Sequence, residues 1–161
     1  MKTLYLIRHA KSSWEFDLED HKRPLNSRGL KDAKRIGEKL ETTVKMVDRV
    51  LCSTATRAKQ TAEIITPYLK IKDEQVHFVP ELYDFNGAQV MKVIKECDNE
   101  VTSLIIFGHN HALTSLVNLL GSQMIDNLPT AGVVGIEFDV DQWGKIDVGN
   151  TLLSVFPKHL R

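Results

Sequence analysis

The apolar residues of this chain form short unbroken runs and longer stretches with helical spacing, and the two patterns alternate along the sequence. Unbroken apolar runs are typical of strands that are buried on both faces of an α/β sheet. Four such strands are predicted, at residues 4–7, 49–53, 76–79 and 103–107. The first runs directly into Arg8 and His9, and the fourth into Gly108 and His109.

Two helices are predicted in the first half of the chain from apolar residues that lie three or four positions apart. The first covers residues 27–43, and Asn26 or Ser27 can accept hydrogen bonds from the free amides of its first turn. Its predicted inward face is Leu30, Ala33, Ile36 and Leu40. The second helix begins after Ser53 or Thr54, either of which can cap it. Its predicted inward face is Ala58, Ala62, Ile65 and Leu69.

The second half of the chain continues this alternation and then changes character. A third helix is predicted over residues 88–96, and a fourth follows the last buried strand and can end at Gly121. Residues 133–139 and 145–156 flank a turn signal at residues 141–144, which predicts an antiparallel hairpin. The expected fold is therefore α/β and three-layered, with a mostly parallel central sheet, helices on both faces and an antiparallel edge hairpin.

Length, charge and cysteine content narrow the classes of protein. The 161 residues suffice for one domain with a full core, so we expect a single domain over residues 1–161. The 21 basic and 21 acidic side chains balance, which indicates no nucleic-acid or membrane partner. The first apolar run is too short for a signal peptide, so we expect a cytoplasmic protein. Cys52 and Cys97 lack disulfide spacing, and no metal-site spacing occurs, so neither a metal nor another cofactor is expected.

Three polar clusters directly follow the first, second and fourth predicted strands. They are Arg8 with His9, the segment 53–57 that ends in Arg57, and Gly108 with His109. Parallel strands have their carboxyl ends at one edge of the sheet, where α/β proteins bind ligands, so we expect the clusters to meet. Two imidazoles and two guanidiniums suit a phosphoryl group, because arginine pairs with phosphate oxygens and histidine can attack phosphorus.

The same segments resemble, in order and spacing, the signature of the histidine phosphatase superfamily. The matching segments are Arg8-His9-Ala10, residues 53–62 (Ser-Thr-Ala-Thr-Arg-Ala-Lys-Gln-Thr-Ala) and Gly108-His109-Asn110. The short chain, Arg23-Pro24-Leu25 and residues 128–132 (Leu-Pro-Thr-Ala-Gly) are similar to the compact branch, the SixA-type phosphohistidine phosphatases. The resemblance implies a phosphoglycerate mutase-like fold.

The resemblance also implies a phosphate pocket of Arg8, His9, Arg57 and His109, with His9 as the nucleophile that becomes phosphorylated. His9 must attack as a neutral imidazole, and two nearby guanidiniums should lower its pKa. Its other nitrogen needs an acceptor, for which we expect a backbone carbonyl. By the same resemblance, Arg23 is a further phosphate or substrate contact. The residues expected to border the pocket mouth, on the loop after the nucleophile, are Lys11, Ser12 and Trp14.

The motifs do not identify the residue that donates a proton to the leaving group. Larger members of the superfamily place a carboxylate after the third strand, where this chain has Glu81 and Asp84, and Asp84 fits better by its place after Leu82-Tyr83. SixA-type members commonly lack a clear acid there. An alkoxide needs a proton to leave, whereas an imidazole already protonated on its far nitrogen departs neutral. A weak or absent acid therefore favours phosphoramidates over alkyl phosphates.

The favoured hypothesis is a metal-independent phosphatase that acts through a phosphohistidine intermediate on the phosphohistidine of a partner protein. The short chain leaves little room for cap insertions that enclose small metabolites, and an open site suits a protein surface. Two alternatives stay open: a broad phosphomonoesterase that acts on small phosphorylated metabolites, and a module that binds phosphate or phosphoprotein without turnover. The sequence does not predict the oligomeric state.

Overall fold

Six strands form one sheet in this computed structural model, which describes residues 1–161. The strands are β1 (Lys2–Arg8), β2 (Arg49–Cys52), β3 (Val76–Phe78), β4 (Ser103–Gly108), β5 (Val133–Phe138) and β6 (Asn150–Val155). Their order across the sheet is β3-β2-β4-β1-β5-β6. The first four of these are mutually parallel, and β5 is antiparallel to both of its neighbours. The predicted mostly parallel sheet with an antiparallel edge is confirmed.

Four α-helices cover the two faces of this sheet. They are α1 (Ser27–Thr43), α2 (Thr56–Ile65), α3 (Ala88–Lys95) and α4 (Ala112–Leu120). Short 3-10 helices lie at Asp20–Lys22, Thr66–Leu69, Asp73–Gln75, Pro80–Leu82, Trp143–Lys145 and Pro157–His159. No helix combines the length and the apolar character needed to cross a membrane. The predicted three-layer arrangement of helix, sheet and helix is confirmed.

Two separate cores hold the layers together, and β1 contributes to both. Leu4 and Leu6 pack in the core shared with α3 and α4, whereas Tyr5 and Ile7 pack in the core shared with α1 and α2. This alternation explains the unbroken apolar run, because successive side chains of a strand point to opposite faces and here both faces are covered. Each fully buried Leu or Ile contributes about 2 kcal/mol to folding. The strand that carries the candidate site is thus fixed from both sides.

Helix α1 has the predicted bounds but a different inward face at its start. Leu30 is 43% exposed, and Gly29 is buried in its place. A side chain at Gly29 would collide with the backbone oxygen of Lys11 at 2.1 Å, so the missing Cβ lets α1 approach the segment after β1. Asn26 caps the helix by accepting a hydrogen bond from the amide of Gly29 at 2.8 Å. The prediction for Leu30 is wrong because the sequence does not reveal this close backbone contact.

Two further local predictions are wrong. The N-cap of α2 is Ala55, which makes no side-chain cap, although Ser53 Oγ accepts a hydrogen bond from its amide at 3.2 Å. The predicted antiparallel hairpin is confirmed by the pairing of β5 with β6, but its second strand begins later than residue 145. The predicted turn at residues 141–144 includes Trp143, which is fully buried and donates from Nε1 to the carbonyl oxygen of Val101 at 2.8 Å. Because the core takes up this indole, the connection between β5 and β6 is long, and β6 begins only at Asn150.

Candidate active site

The predicted polar clusters lie around one pocket at the carboxyl ends of β1, β2 and β4. Arg8 ends β1 and is paired with Gly108 of β4. Cys52 ends β2 and is paired with Phe107 of β4, so the three strand ends are level. The pocket has a volume of about 380 Å³ and is lined by Arg8, His9, Lys11, Ser12, Trp14, Asp20, Arg23, Arg57, Phe85, His109, Asn110 and Thr130. Of the residues predicted from the sequence, only the two proton-donor candidates, Asp84 and its alternative Glu81, are not among them.

His9 follows β1 and is oriented by a backbone carbonyl. Its Nδ1 lies 2.7 Å from the oxygen of Ala10, so Nδ1 carries the proton and donates it there. The other nitrogen, Nε2, accepts a hydrogen bond from Nε of Arg57 at 3.4 Å. Burial, opposed by the Ala10 hydrogen bond and aided by the charges of Arg57 and Arg8, lowers the pKa of His9 to about 3. The imidazole is therefore neutral near pH 7, with burial as the leading cause.

His109 follows β4, and its ring centroid lies 5.2 Å from that of His9. The side chain is 1% exposed, and its Nε2 lies 2.8 Å from Oγ of Ser53. Burial, together with the charges of His9 and Arg57, lowers the pKa of His109 to about 2. This second imidazole is also neutral, so it can offer one hydrogen-bond donor and one acceptor but no charge.

Arg57 lies in the first turn of α2, where its positive charge meets the positive end of the helix dipole. Asp20 compensates this charge. Nη1 of Arg57 donates to the carbonyl oxygen of Asp20 at 2.7 Å, and Nη2 donates to Oδ2 of its carboxylate at 2.9 Å. The guanidinium is buried, and its Nε still points to His9. Arg57 is thus fixed with its Nε toward His9.

Arg8 brings a second guanidinium into the pocket. Its Nη1 donates to the carbonyl oxygen of Leu128 at 3.0 Å, while its Nε is buried and has no hydrogen-bond partner. Burial and the charge of Arg57 lower the pKa of Arg8, since two guanidiniums in one pocket repel each other. An anion between Arg8 and Arg57 would relieve this repulsion.

Arg23 and Trp14 form the side of the pocket made by the loop after β1. Nη1 of Arg23 donates to Oγ of Ser12 at 2.7 Å and to the carbonyl oxygen of Ser13 at 3.1 Å. The Trp14 ring stacks on the Arg23 guanidinium at 3.5 Å and is itself 79% exposed. Lys11 is exposed at the same mouth. The loop thus places the buried Arg23, the exposed Lys11 and the exposed Trp14 ring at the mouth of the pocket.

Asp20 is the charged pocket residue that sequence reasoning missed, and Phe85, Asn110 and Thr130 also line the pocket without having been predicted as site residues. Oδ1 of Asp20 accepts two hydrogen bonds from Arg23, and its Oδ2 accepts one from Arg57 and one from the Tyr83 hydroxyl at 2.6 Å. Burial acts to raise the pKa of Asp20, but the hydrogen bonds from Tyr83 and Arg57 prevail and lower it to about 2. The one signal in the sequence is the position of Asp20 three residues before Arg23. The same loop contains several other acidic residues and no periodic pattern, so the sequence does not single out Asp20.

The structure removes Asp84 from the candidate site, which corrects its prediction as a proton donor. Its Oδ1 accepts from the amide of Asn86, and its Oδ2 accepts from the amides of Gly87, Gln89 and Val90 at 3.0–3.1 Å. The carboxylate is buried at the start of α3, where free amides and the helix dipole favour a negative charge. Both carboxylate oxygens accept hydrogen bonds from backbone amides at the start of α3, so Asp84 has a structural role here.

Glu81, the other predicted candidate, is exposed and lies in a different surface cleft beside α3. Neither carboxylate of the loop after β3 therefore reaches the pocket. Asp20 is the one acidic side chain among the lining residues.

Buried polar atoms without a hydrogen-bond partner concentrate in this pocket. Three buried side-chain atoms of the protein lack a hydrogen-bond partner: Nε of Arg8, Nδ1 of His109 and Oγ of Ser103. The first two belong to pocket-lining residues, whereas Ser103 lies at the opposite end of β4. No cluster of His, Cys, Asp and Glu side chains could hold a metal ion. The pocket has four cationic side chains, one carboxylate and two buried nitrogens without a hydrogen-bond partner, and this combination is suited to binding an oxyanion.

Comparison with known proteins places the chain among phosphatases. The sequence model of the histidine phosphatase superfamily (branch 1) matches residues 4–90. An uncharacterized protein of Mycobacterium tuberculosis is 31% identical over 160 residues, which cover 93% of this chain and 98% of that protein.

Two solved structures share the fold. The protein histidine phosphatase SixA complexed with tungstate has a TM-score of 0.79 and 22% identity, with 99% of each chain covered. SixA from Agrobacterium tumefaciens has a TM-score of 0.81 and 24% identity, covering 97% of this chain and 99% of that one.

Proposed function

The chain belongs to the histidine phosphatase superfamily, and on that premise we propose that it removes the phosphoryl group from a phosphohistidine of a partner protein. Membership of the superfamily supports phosphatase activity. The proposal adds the identity of the leaving group, which is the imidazole of a phosphohistidine. One observation carries it: the pocket holds no protonated carboxyl group, and therefore no carboxylic acid that could donate a proton to a leaving alkoxide. Its one carboxylate, Asp20, has a pKa of about 2 and is ionised at neutral pH.

The reaction begins with attack of Nε2 of His9 on phosphorus. The bond between phosphorus and the substrate imidazole breaks, and its electron pair stays on the departing nitrogen. Because the far nitrogen of that imidazole carries a proton, the leaving group departs neutral without an acid. Arg8, Arg57 and His109 bind the oxygens that carry the negative charge. An alcohol offers no such route, since its oxygen leaves as an anion.

Hydrolysis of the intermediate follows the same chemistry. The phosphoryl group is now bonded to Nε2 of His9, whose Nδ1 keeps its proton through the hydrogen bond to Ala10. When water attacks phosphorus and the P–N bond breaks, His9 therefore also departs as a neutral imidazole. Orthophosphate is released and the excess proton passes to solvent. A site that performs this second step without an acid has the equipment for the first step on a phosphohistidine substrate.

The mouth of the pocket supports a protein as the carrier of that phosphohistidine. Trp14 and Phe85 line the pocket and are both well exposed, so no part of the chain covers the opening. They are also the apolar residues of the lining, and their ring faces can contact a flat imidazole. A small metabolite would gain no enclosure here, whereas a side chain on a protein surface can reach the nucleophile.

The proposal is tested by measuring orthophosphate release from a phosphohistidine-bearing protein, free phosphoramidate and a panel of alkyl and aryl phosphates. We expect the highest kcat/KM on the phosphoprotein and the lowest on alkyl esters. His9→Asn serves as the inactive control. A higher kcat/KM on small phosphate esters would identify a broad phosphomonoesterase instead. Saturable orthophosphate binding without release from any substrate would identify a non-catalytic binding module.

A further inference from the structure

Ser53 and His109 form a buried hydrogen-bonded pair, of which His109 lines the pocket. Ser53 is 0% exposed, and its Oγ lies 2.8 Å from Nε2 of His109. The same Oγ accepts a hydrogen bond from the amide of Ala55 at 3.2 Å. Nδ1 of His109, on the other side of the ring, is buried and has no partner.

The neighbouring rings leave His109 little freedom to exchange its two nitrogens by rotation. The rings of Tyr83 and Phe85 pack against it at centroid distances of 5.3 Å each, and His9 adds a third ring at 5.2 Å. Nε2 therefore remains hydrogen-bonded to Ser53. The single proton of the neutral imidazole can then lie on either Nε2 or Nδ1.

The two possible tautomers differ in what they leave unsatisfied. With the proton on Nε2, His109 donates to Ser53, the buried hydroxyl hydrogen of Ser53 has no acceptor, and Nδ1 of this pocket-lining residue is left as a bare lone pair. With the proton on Nδ1, Ser53 accepts from Ala55 and donates to Nε2, so its hydroxyl is fully used. Nδ1–H is then a donor with no protein partner. A bound oxyanion completes this second arrangement and repels the first.

We propose that Ser53 is a positioning residue that holds His109 in the Nδ1–H tautomer, so that Nδ1 donates a hydrogen bond to a phosphoryl oxygen. This inference deepens the proposed function and rests on it for the identity of the oxyanion. The burial of the pair matters, because it keeps His109 neutral and leaves the hydroxyl of Ser53 no water as an alternative partner. His109 thus contributes a directed dipole, which complements the two guanidiniums without adding a third charge.

The direct measurement is the nitrogen NMR spectrum of ¹⁵N-histidine-labelled protein near pH 7. A protonated ring nitrogen and a bare one have well-separated shifts, and the His109 signals are identified by their loss in His109→Gln. We expect Nδ1 to be protonated and Nε2 bare, both in the free protein and with saturating tungstate. Protonation of Nε2 in the wild-type protein overturns the proposal, whatever the variants do.

Variants then separate positioning from packing. Ser53→Ala removes the donor to Nε2, and we expect a mixture of tautomers in the spectrum and about a tenfold weaker affinity for orthophosphate, the loss of one hydrogen bond to a charged group. Ser53→Thr keeps the hydroxyl, and we expect it to restore the wild-type spectrum and most of the affinity. The matched control is Ser103→Ala, which removes another buried hydroxyl at the far end of β4 and should change neither.

The outcomes distinguish this inference from the proposed function. If Ser53→Ala keeps the Nδ1–H tautomer and wild-type affinity for orthophosphate, Ser53 has no positioning role, even if the enzyme hydrolyses phosphohistidine. If the enzyme prefers phosphate esters but the spectra and affinities follow the expectation, the inference stands and the proposed substrate falls.

Discussion

Arg57 is bound to Asp20 through two of its nitrogens, one on the backbone carbonyl at 2.7 Å and one on the carboxylate at 2.9 Å. The contact fixes the guanidinium before any substrate arrives, and it leaves Nε of Arg57 directed at His9. A carboxylate in the pocket would compete with a bound phosphoryl group for the same cations. We therefore expect Asp20 to have opposite effects on binding and on the rate of the chemical step.

Asp20→Asn is expected to separate these two effects. Loss of the negative charge removes the competitor, so the affinity for orthophosphate should stay equal or increase. Asparagine keeps the backbone carbonyl and one side-chain oxygen but replaces the other carboxylate oxygen by an amide donor, so Arg57 or Arg23 loses a charge-assisted hydrogen bond and can move. We therefore expect kcat on phosphohistidine to fall about tenfold, as for misplaced oxyanion donors. Steady-state kinetics with orthophosphate as inhibitor measure both quantities. Asp17→Asn, an exposed acid on the same loop, is the control and should change neither. A rise in KM with kcat unchanged would contradict the positioning role.

His9→Asn is expected to abolish orthophosphate release while the fold is retained, because no other side chain offers a nucleophilic nitrogen at this position. Circular dichroism checks the fold, and single-turnover trapping of the labelled phosphoprotein checks the intermediate. His111→Asn, which alters an exposed histidine two residues from His109, should keep wild-type turnover. Turnover by His9→Asn at the wild-type rate would remove the nucleophile assignment.

Arg57→Lys is expected to weaken orthovanadate inhibition by about 10- to 100-fold, since an ammonium group replaces a planar fork that bonds oxygens in pairs. The inhibition constant on the fastest substrate measures this change. The control is Arg28→Lys, which makes the same substitution on the exposed face of α1, outside the pocket, and should leave inhibition unaltered. Equal inhibition of Arg57→Lys and wild type would exclude Arg57 from the oxyanion site.

Asp84→Ala is expected to lower the free energy of unfolding by about 1–2 kcal/mol, because four amides at the start of α3 lose their acceptor. Urea denaturation measures the loss, and Glu81→Ala, on the same loop but exposed, should show almost none. Residual activity of Asp84→Ala should fall equally on esters and on phosphohistidine. A selective loss on esters would restore Asp84 as a proton donor.

Acidification is expected to destabilise the protein through its two buried histidines. The folded pKa values of His9 and His109 are about 3 and about 2, below the value of 6.5 for a free imidazole. Their contribution is therefore complete above pH 6.5 and is lost progressively as the pH falls toward the folded values, because only the unfolded chain takes up the proton. Each histidine should cost about 1.4 kcal/mol between pH 7.5 and pH 5.5. Asp20, whose folded pKa is about 2, changes the free energy of unfolding only at pH values below this range.

Urea denaturation at the two pH values in phosphate-free buffer measures this loss. His9→Asn should remove about half of it, and His77→Asn, an exposed histidine on β3, should keep all of it. A free energy of unfolding that does not change between pH 7.5 and pH 5.5 would show that neither ring is held neutral by the fold.

The sequence by itself determined the layers of the fold and the strand ends that meet. Unbroken runs such as Leu4–Ile7 require cover on both faces, helical spacing supplies that cover, and parallel strands then bring Arg8, His9, Arg57 and His109 to one edge. Each of these steps depends on local periodicity or on chain order, which a single sequence displays.

Only the tertiary structure decided which polar side chains satisfy one another. No pattern in the sequence distinguishes Asp20 from Asp84. In the structure, Asp20 accepts hydrogen bonds from two pocket arginines, whereas Asp84 accepts them from the amides at the start of α3. The partners of Asp20 lie as far as 63 positions along the chain, and Ser53 is separated from His109 by 56. Leu30 faced outward for a similar reason, since the close approach of Gly29 to Lys11 set the rotation of α1. Hydrogen bonds and steric contacts of this kind depend on distances of a few ångströms between remote residues, and no periodic pattern in the sequence encodes them.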